Sequence, residues 1–154
     1  MVKQSAGLLP FRRREGRLEV FLVHPGGPFW KNKDEGAWSI AKGEFDASEN
    51  ALAAARREFA EETGFTAEGA FIALKPVRQK SGKWIHAFAV EADFDTGRII
   101  SNTFALEWPP KSGRVMDVPE IDRAAWFGLA AARVKIIAAQ RPLLGELAQL
   151  LARS

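Results

Sequence analysis

Residues 46–63 constrain this chain more than any other stretch, because they read as one helix whose last turn gathers three acids. At about 100° per residue, Glu58, Glu61 and Glu62 stand at i, i+3 and i+4 and share one arc of the helix surface. Leu52 and Phe59 fall on a different face, where they can pack on a sheet. Ala54 lies one turn before Glu58, and Ala51 lies near it, so small side chains leave the acids approachable. Asp46 offers an N-cap with Glu49 as its capping-box partner. Gly64 ends the helix at a position suited to left-handed backbone.

Like charges at this spacing repel and destabilise an isolated helix. A hard dication relieves the repulsion, and three carboxylates on one face form the all-oxygen set that suits Mg²⁺ or Mn²⁺. Such an ion bridges phosphate oxygens, lowers the pKa of a bound water and stabilises charge on a leaving group. Taken alone, however, an acidic triple on a helix is more often a solvated surface. Arg57 and Glu49 alone are likewise more often a surface ion pair.

The other segments set limits on class. A length of 154 residues fits a single domain spanning residues 1–154 with one core. The absence of cysteine excludes a disulfide framework and a thiolate metal site. No apolar run approaches the roughly 18 residues a membrane span needs, and the N-terminal apolar patch is too short for a signal peptide. A soluble cytoplasmic protein is expected, with no membrane partner. The net charge of +3 suits a polyphosphate substrate and equally a solvated basic surface.

Strand signals surround the helix. Residues 2–13 read as a strand, residues 14–17 as a turn, and residues 18–24 as a buried central strand. Residues 25–28 break it, a polar loop follows, and residues 37–41 form a short extended piece. Residues 71–79 and 83–93 predict a hairpin around Ser81 and Gly82. Residues 95–102 predict a turn and short strand, residues 103–108 an extended segment, and residues 109–113 a loop. Residues 124–127 predict a strand, and residues 129–154 a helical tail interrupted at Pro142. Without regular βα alternation, these elements predict a mixed β-sheet packed between α-helices, in the α/β or α+β class.

Written out from Gly43, the pattern is Gly43, five residues, Glu49, seven residues, Arg57-Glu58, Phe59, one residue, Glu61-Glu62, one residue, Gly64, Phe65. This resembles the Nudix box, G-x5-E-x7-R-E-U-x-E-E-x-G-U, where U is a bulky apolar residue. Every fixed identity is present at the right spacing, and Phe fills both U positions. The likeness extends outside the box. SAGLLPF and LEVFLVH match the family's opening strands, and Trp38-Ser39-Ile40-Ala41-Lys42-Gly43 matches its W-x-x-P-K-G element, with Ala41 in place of the common proline. Glu120, Trp126-Phe127 and an alanine-rich helix also fit.

The resemblance implies a Nudix fold and a Mg²⁺-dependent pyrophosphohydrolase, with Mn²⁺ as a substitute. Its substrate would be a nucleoside diphosphate linked to a further group, such as a dinucleoside polyphosphate or a nucleoside triphosphate. Glu58, Glu61 and Glu62 would hold the metal with the backbone carbonyl of Lys42. Arg57 would orient Glu58, and Glu49 would brace Arg57. The general base would be a box glutamate or one from a later loop, where Glu120 is the candidate and Asp122 stands behind it.

Substrate contacts are read from residue chemistry. Phe29, Trp30, Trp84 and Trp108 are candidates to stack on a base. His24, Lys31, Lys33, Lys42, Arg78, Lys80, Lys83 and His86 are candidates to meet phosphates. Lys42 leads this set, with Arg78 next; Trp30, Trp84 and His86 complete the expected binding residues. No stable nucleic-acid partner is expected, and the chain would be a monomer or homodimer. Two alternatives compete with the enzyme: a non-catalytic Nudix-like module binding nucleotide or nucleic acid, and a scaffold with an acidic helix face. An intact acidic set weighs against the first.

Overall fold

The computed structural model describes residues 4–153. Val2 and Lys3 of the first expected strand and Ser154 of the last expected helix lie outside the described residues. Strands β1 (Gln4–Arg14) and β2 (Arg17–Pro25) form an antiparallel hairpin with Phe11 opposite Val20 and Arg14 opposite Arg17. Its two-residue turn puts Glu15 and Gly16 at φ 54° and 76°, the left-handed pair whose twist matches that of flanking strands.

The third strand, β3 (Ala41–Phe45), pairs with the first half of β1. The extended piece therefore reaches beyond the expected residues 37–41 and into the glycine of the box. Because β2 and β3 share one edge of β1, they part where β1 passes from one to the other. Only an isolated bridge between Val23 and Ser39 links them there.

Helix α1 (Ala51–Thr63) is shorter than residues 46–63. Asn50, not Asp46, caps it, accepting from the Ala53 amide at 3.1 Å. Asp46 instead accepts from the Ser48 amide at 2.8 Å and closes a turn ahead of the helix, so the expected capping box does not form. Gly64 ends the helix as expected, at φ 79° with its amide on the Ala60 carbonyl.

Three strands follow: β4 (Ile72–Ala73), β5 (Val77–Arg78) and β6 (Trp84–Glu91). The first two each pair antiparallel with β6, and β6 runs parallel to β1. The expected strand over 71–79 is split because Pro76 has no amide to give and the Lys75 amide turns away to Glu146 Oε1 at 2.8 Å. The turn around Ser81 and Gly82 forms as expected. A 3-10 turn at Thr96–Arg98 replaces the short strand expected before residue 102.

A separate two-stranded ribbon joins β7 (Thr103–Glu107) to β8 (Val115–Pro119). The second of these left no signal, because Val115, Met116 and Asp117 are all exposed and no face alternates. Strand β9 (Ile121–Gly128) then pairs with β2 and completes the mixed sheet in the order β4-β6-β1-β2-β9.

Helices α2 (Leu129–Lys135) and α3 (Arg141–Ala152) close the chain. The break between them falls at Ile136 and Ile137, not at Pro142. There the backbone extends to pair with Trp38: Trp38 N meets Lys135 O at 3.0 Å and Ile137 N meets Trp38 O at 2.8 Å. Pro142 instead starts α3, where its missing amide is no loss.

Two apolar layers hold the sheet. On one face Leu9, Leu22 and Ile85 meet Leu143, Leu144 and Leu147 of α3. On the other, Leu8, Phe21 and Val90 meet Ala54, Ala55 and Phe59 of α1. Burying Phe59 alone contributes about 2–3 kcal/mol, which fixes the rotation of α1 and therefore the direction its acids face. Among the described residues, no helix is long and apolar enough to cross a membrane.

Candidate active site

Since Phe59 and Thr63 point into the core, the neighbouring Glu58 and Glu62 point along β3 and towards the gap between β2 and β3. Gly43 receives Glu58. A side chain built on this glycine would stand 2.1 Å from Glu58 Cδ, so the carboxylate rests directly on the strand backbone. Arg57 Nη1 donates to Glu58 Oε1 at 3.1 Å, and Arg57 Nη2 donates to Glu49 Oε2 at 3.0 Å. The same guanidinium lies 3.9 Å from Glu61. One cation thus spans three of the box acids, and Glu61 remains the most open of the α1 set, with 47% of its side chain exposed.

The crowding shows in the acids' proton affinity. Burial, then the charge of Glu61, raises the Glu58 carboxyl against the pull of Arg57. Burial pushes Glu62 up to about 8, helped by the charges of Glu58 and Glu120 and by a hydrogen bond with Glu58. Lys42 is lowered, mainly by burial and then by Lys83, while Glu62, Glu44 and Glu58 oppose the shift.

Glu120 sits between β8 and β9, close enough for its charge to act on both Glu58 and Glu62. Its amide is held by the Asn102 carbonyl at 2.9 Å, and its carbonyl accepts from the Gly26 amide at 3.0 Å. Gly26 must be glycine, because a Cβ would lie 2.1 Å from the Pro119 carbonyl oxygen.

These groups ring a cleft of about 200 Å³ at the parting of β2 and β3. Val23, Ile40, Ile121 and Ile137 give it apolar walls, and Trp30 stands on one side. Lys42, Glu62 and Glu120 form its polar end. The structure therefore brings together Lys42, Trp30, Glu62 and Glu120, with Glu58 beside them and Arg57 and Glu49 behind.

Three expected binding residues lie elsewhere. Arg78 lines a groove against Pro142 and Glu146 of α3 and stacks 5.8 Å from Trp84. His86 is hydrogen-bonded to Gln4 and packs its ring on Phe45. Arg78 and Trp84 are paired across β5 and β6, His86 lies on β6 beside β1, and none of the three lines the cleft. His24 is fully buried and so is no phosphate contact. Asp122, the reserve base, is engaged with His24 at 2.8 Å. The walls were not legible as walls: Ile121 and Ile137 carry no local signal, Val23 was visible only as part of the buried strand over residues 18–24, and Ile40 only as a member of the Trp38–Gly43 element.

Among the described residues, no three acids or imidazoles already converge into a finished metal cage. The donor set nevertheless fits a hard dication. It is all carboxylate, has no thiolate competitor, and contains a hydrogen-bonded Glu58–Glu62 pair whose charges repel unless a proton or cation lies between them.

A mixed sheet between helices, with an acidic helical turn opening on an apolar cleft beside a lysine, defines the architecture. The family model of the NUDIX domain matches residues 1–147, and the chain belongs to that family. The family includes hydrolases of phosphorus-containing anhydrides. Solved structures share the fold. One is a binary complex of the C. elegans Ap4A hydrolase, with TM-score 0.67 and 21% identity over 97% of this chain and 99% of that one. Another is the NUDIX domain of Shewanella oneidensis NrtR complexed with ADP ribose, at 0.66 and 15% over 98% and 89%. The E. coli ORF135 protein matches at 0.58 and 23% over 99% and 94%. No curated protein matches the chain.

Proposed function

We propose that this chain is a Mg²⁺-dependent NUDIX pyrophosphohydrolase that cuts the diphosphate linkage of a nucleoside diphosphate derivative, with a dinucleoside polyphosphate or nucleoside triphosphate as substrate. One observation carries the reading: Glu58 is seated on Gly43 at the mouth of an apolar cleft, bonded to Arg57 and facing Glu62. A surface ion cluster would have no reason to press a carboxylate onto a glycine and to crowd a second carboxyl, pushed up to about 8 by burial, beside a half-buried lysine.

Glu58, Glu61 and Glu62 would hold the cation with the Lys42 carbonyl, and Mn²⁺ would substitute for Mg²⁺. When bound, the ion would neutralise phosphate charge and acidify a water. Arg57 keeps Glu58 oriented, and Glu49 braces Arg57 from its other side. Glu120 shares the polar end of the cleft with Glu62 and, among the described residues, has no ion-pair partner, so it is the candidate to accept the proton of the attacking water. The Lys42 ammonium, lying among Glu58, Glu62 and the cleft, balances charge on the phosphates. Trp30 offers a ring face to a base.

The test is phosphate release, coupled to a phosphatase where needed, over a panel of dinucleoside polyphosphates, canonical and oxidised triphosphates, ADP-ribose and nucleotide sugars. Turnover that needs Mg²⁺ or Mn²⁺ is expected. Nucleotide binding without any turnover would leave a binding module and remove the enzyme.

A further inference from the structure

We propose that His24 and Asp122 are positioning residues that set the width of the cleft, by tying the loop that carries Trp30 to the segment that carries Glu120. His24 is the last residue but one of β2 and is fully buried, yet it belongs to no apolar layer. Its Nε2 lies 2.6 Å from the Lys33 carbonyl oxygen. A carbonyl only accepts, so Nε2 donates. Its Nδ1 lies 2.8 Å from Asp122 Oδ1.

Those two partners belong to opposite walls. The Lys33 amide bonds the Trp30 carbonyl at 2.9 Å, so holding Lys33 holds the turn that aims Trp30 at the cleft. Asp122 follows Glu120 by two residues, and Glu120 lines the other side. The sheet register changes at this point: His24 pairs with Arg123, but Pro25 pairs with Ile121. Asp122 is thus the extra residue of a bulge, the device by which strands re-aim a side chain beside a site. Trp38 backs the tie, with its ring edge-on to His24 at 5.2 Å and its indole N–H on Asp34 Oδ1 at 2.8 Å. One imidazole therefore fixes the separation between the aromatic wall and the acidic wall.

The kinetic part of this inference rests on the hydrolase reading; its structural part does not. The test combines both. His24→Asn keeps a nitrogen near the Nδ1 position and loses the Lys33 contact, whereas His24→Gln keeps a nitrogen near Nε2. In the ligand-free protein, His24→Asn should speed hydrogen exchange at the amides of residues 33–37 and leave those of α1 unchanged. On the best substrate of the panel, it should raise KM about tenfold, within the range of one lost base–aromatic stack, with kcat kept within about twofold.

His24→Gln should recover most of the KM, and Asp122→Ala should raise it. His24→Asn combined with Trp30→Ala should be no worse than Trp30→Ala alone, because both act through one ring. Unchanged loop exchange in His24→Asn overturns the tie whether or not the protein is an enzyme. Multiplying effects of the two substitutions overturn its action through Trp30. A wild-type protein that turns over no nucleotide, with loop exchange raised in His24→Asn, leaves the tie standing and removes the hydrolase reading.

Discussion

The acidic turn of α1 and the wall around Trp30 border the same cleft but are built in opposite ways. The turn is local. Glu58, Glu61 and Glu62 lie within five residues, and their brace, Arg57, is in the same helix. The wall is assembled from afar: the loop after β2 meets Trp38, then Ile137 from the break between α2 and α3, and finally Asp122 from the β9 bulge. Charge was concentrated by chain geometry alone, whereas apolar shape needed four separate segments to arrive at one place. Chemistry and fit are thereby divided between the two: the turn should govern kcat, and the wall should govern KM.

The largest expected effect tests the chemical half. Glu58→Gln should lower kcat on the order of a hundredfold to a thousandfold while the circular dichroism spectrum and melting temperature stay near wild type. Full activity on a confirmed substrate would remove Glu58 from the role assigned to it. Gly43→Ala comes next. The added methyl must displace the Glu58 carboxylate, and a shift of about 1 Å at such a group can cost about a hundredfold. Loss in KM rather than kcat would blur the division between turn and wall.

A pH series sharpens the same contrast. Glu62 binds its proton more tightly folded than unfolded, with its folded value near 8 against an ordinary 4.5. The folded state therefore holds more protons across that window, and metal-free stability must fall as pH rises through it. The expected result is a melting temperature lower by a few degrees at pH 8 than at pH 5, with stabilisation by Mg²⁺ growing over the same range. A Mg²⁺ effect independent of pH would mean that the ion does not replace the Glu62 proton. The smallest effect concerns the helix start: Asn50→Ala should cost about 1 kcal/mol in urea unfolding, and Asp46→Ala less, since only Asn50 bonds the first turn.

Much of this was legible along the chain. The strands around Leu22 and Phe88 and the left-handed stop at Gly64 follow from period, run length and glycine's backbone freedom. So does the arc of Glu58, Glu61 and Glu62. The missed features share a cause. Asp46 and Asn50 are equally good caps by type, and only the path of β3 decided between them. The helical tail broke at Ile136 rather than Pro142 because the backbone of Trp38 was waiting there for a partner. Arg78, Trp84 and His86 had suitable chemistry, but strand pairing set Arg78 against Trp84 and His86 beside β1, so none of them lines the cleft.

By itself, then, the amino-acid order determined the acidic constellation and its arginine brace, because Arg57, Glu58, Glu61 and Glu62 lie within two turns of one helix; the seat of Glu58 on Gly43 needed β3 to pass beneath that helix. Only the tertiary structure decided which lysine, which tryptophan and which later glutamate would stand opposite those acids. Such contacts depend on register and on how far strands diverge, and a side chain's chemistry says nothing about either. His24 marks that boundary well. In the sequence it is one polar residue at the end of an apolar strand, and in the fold it joins both walls of the cleft.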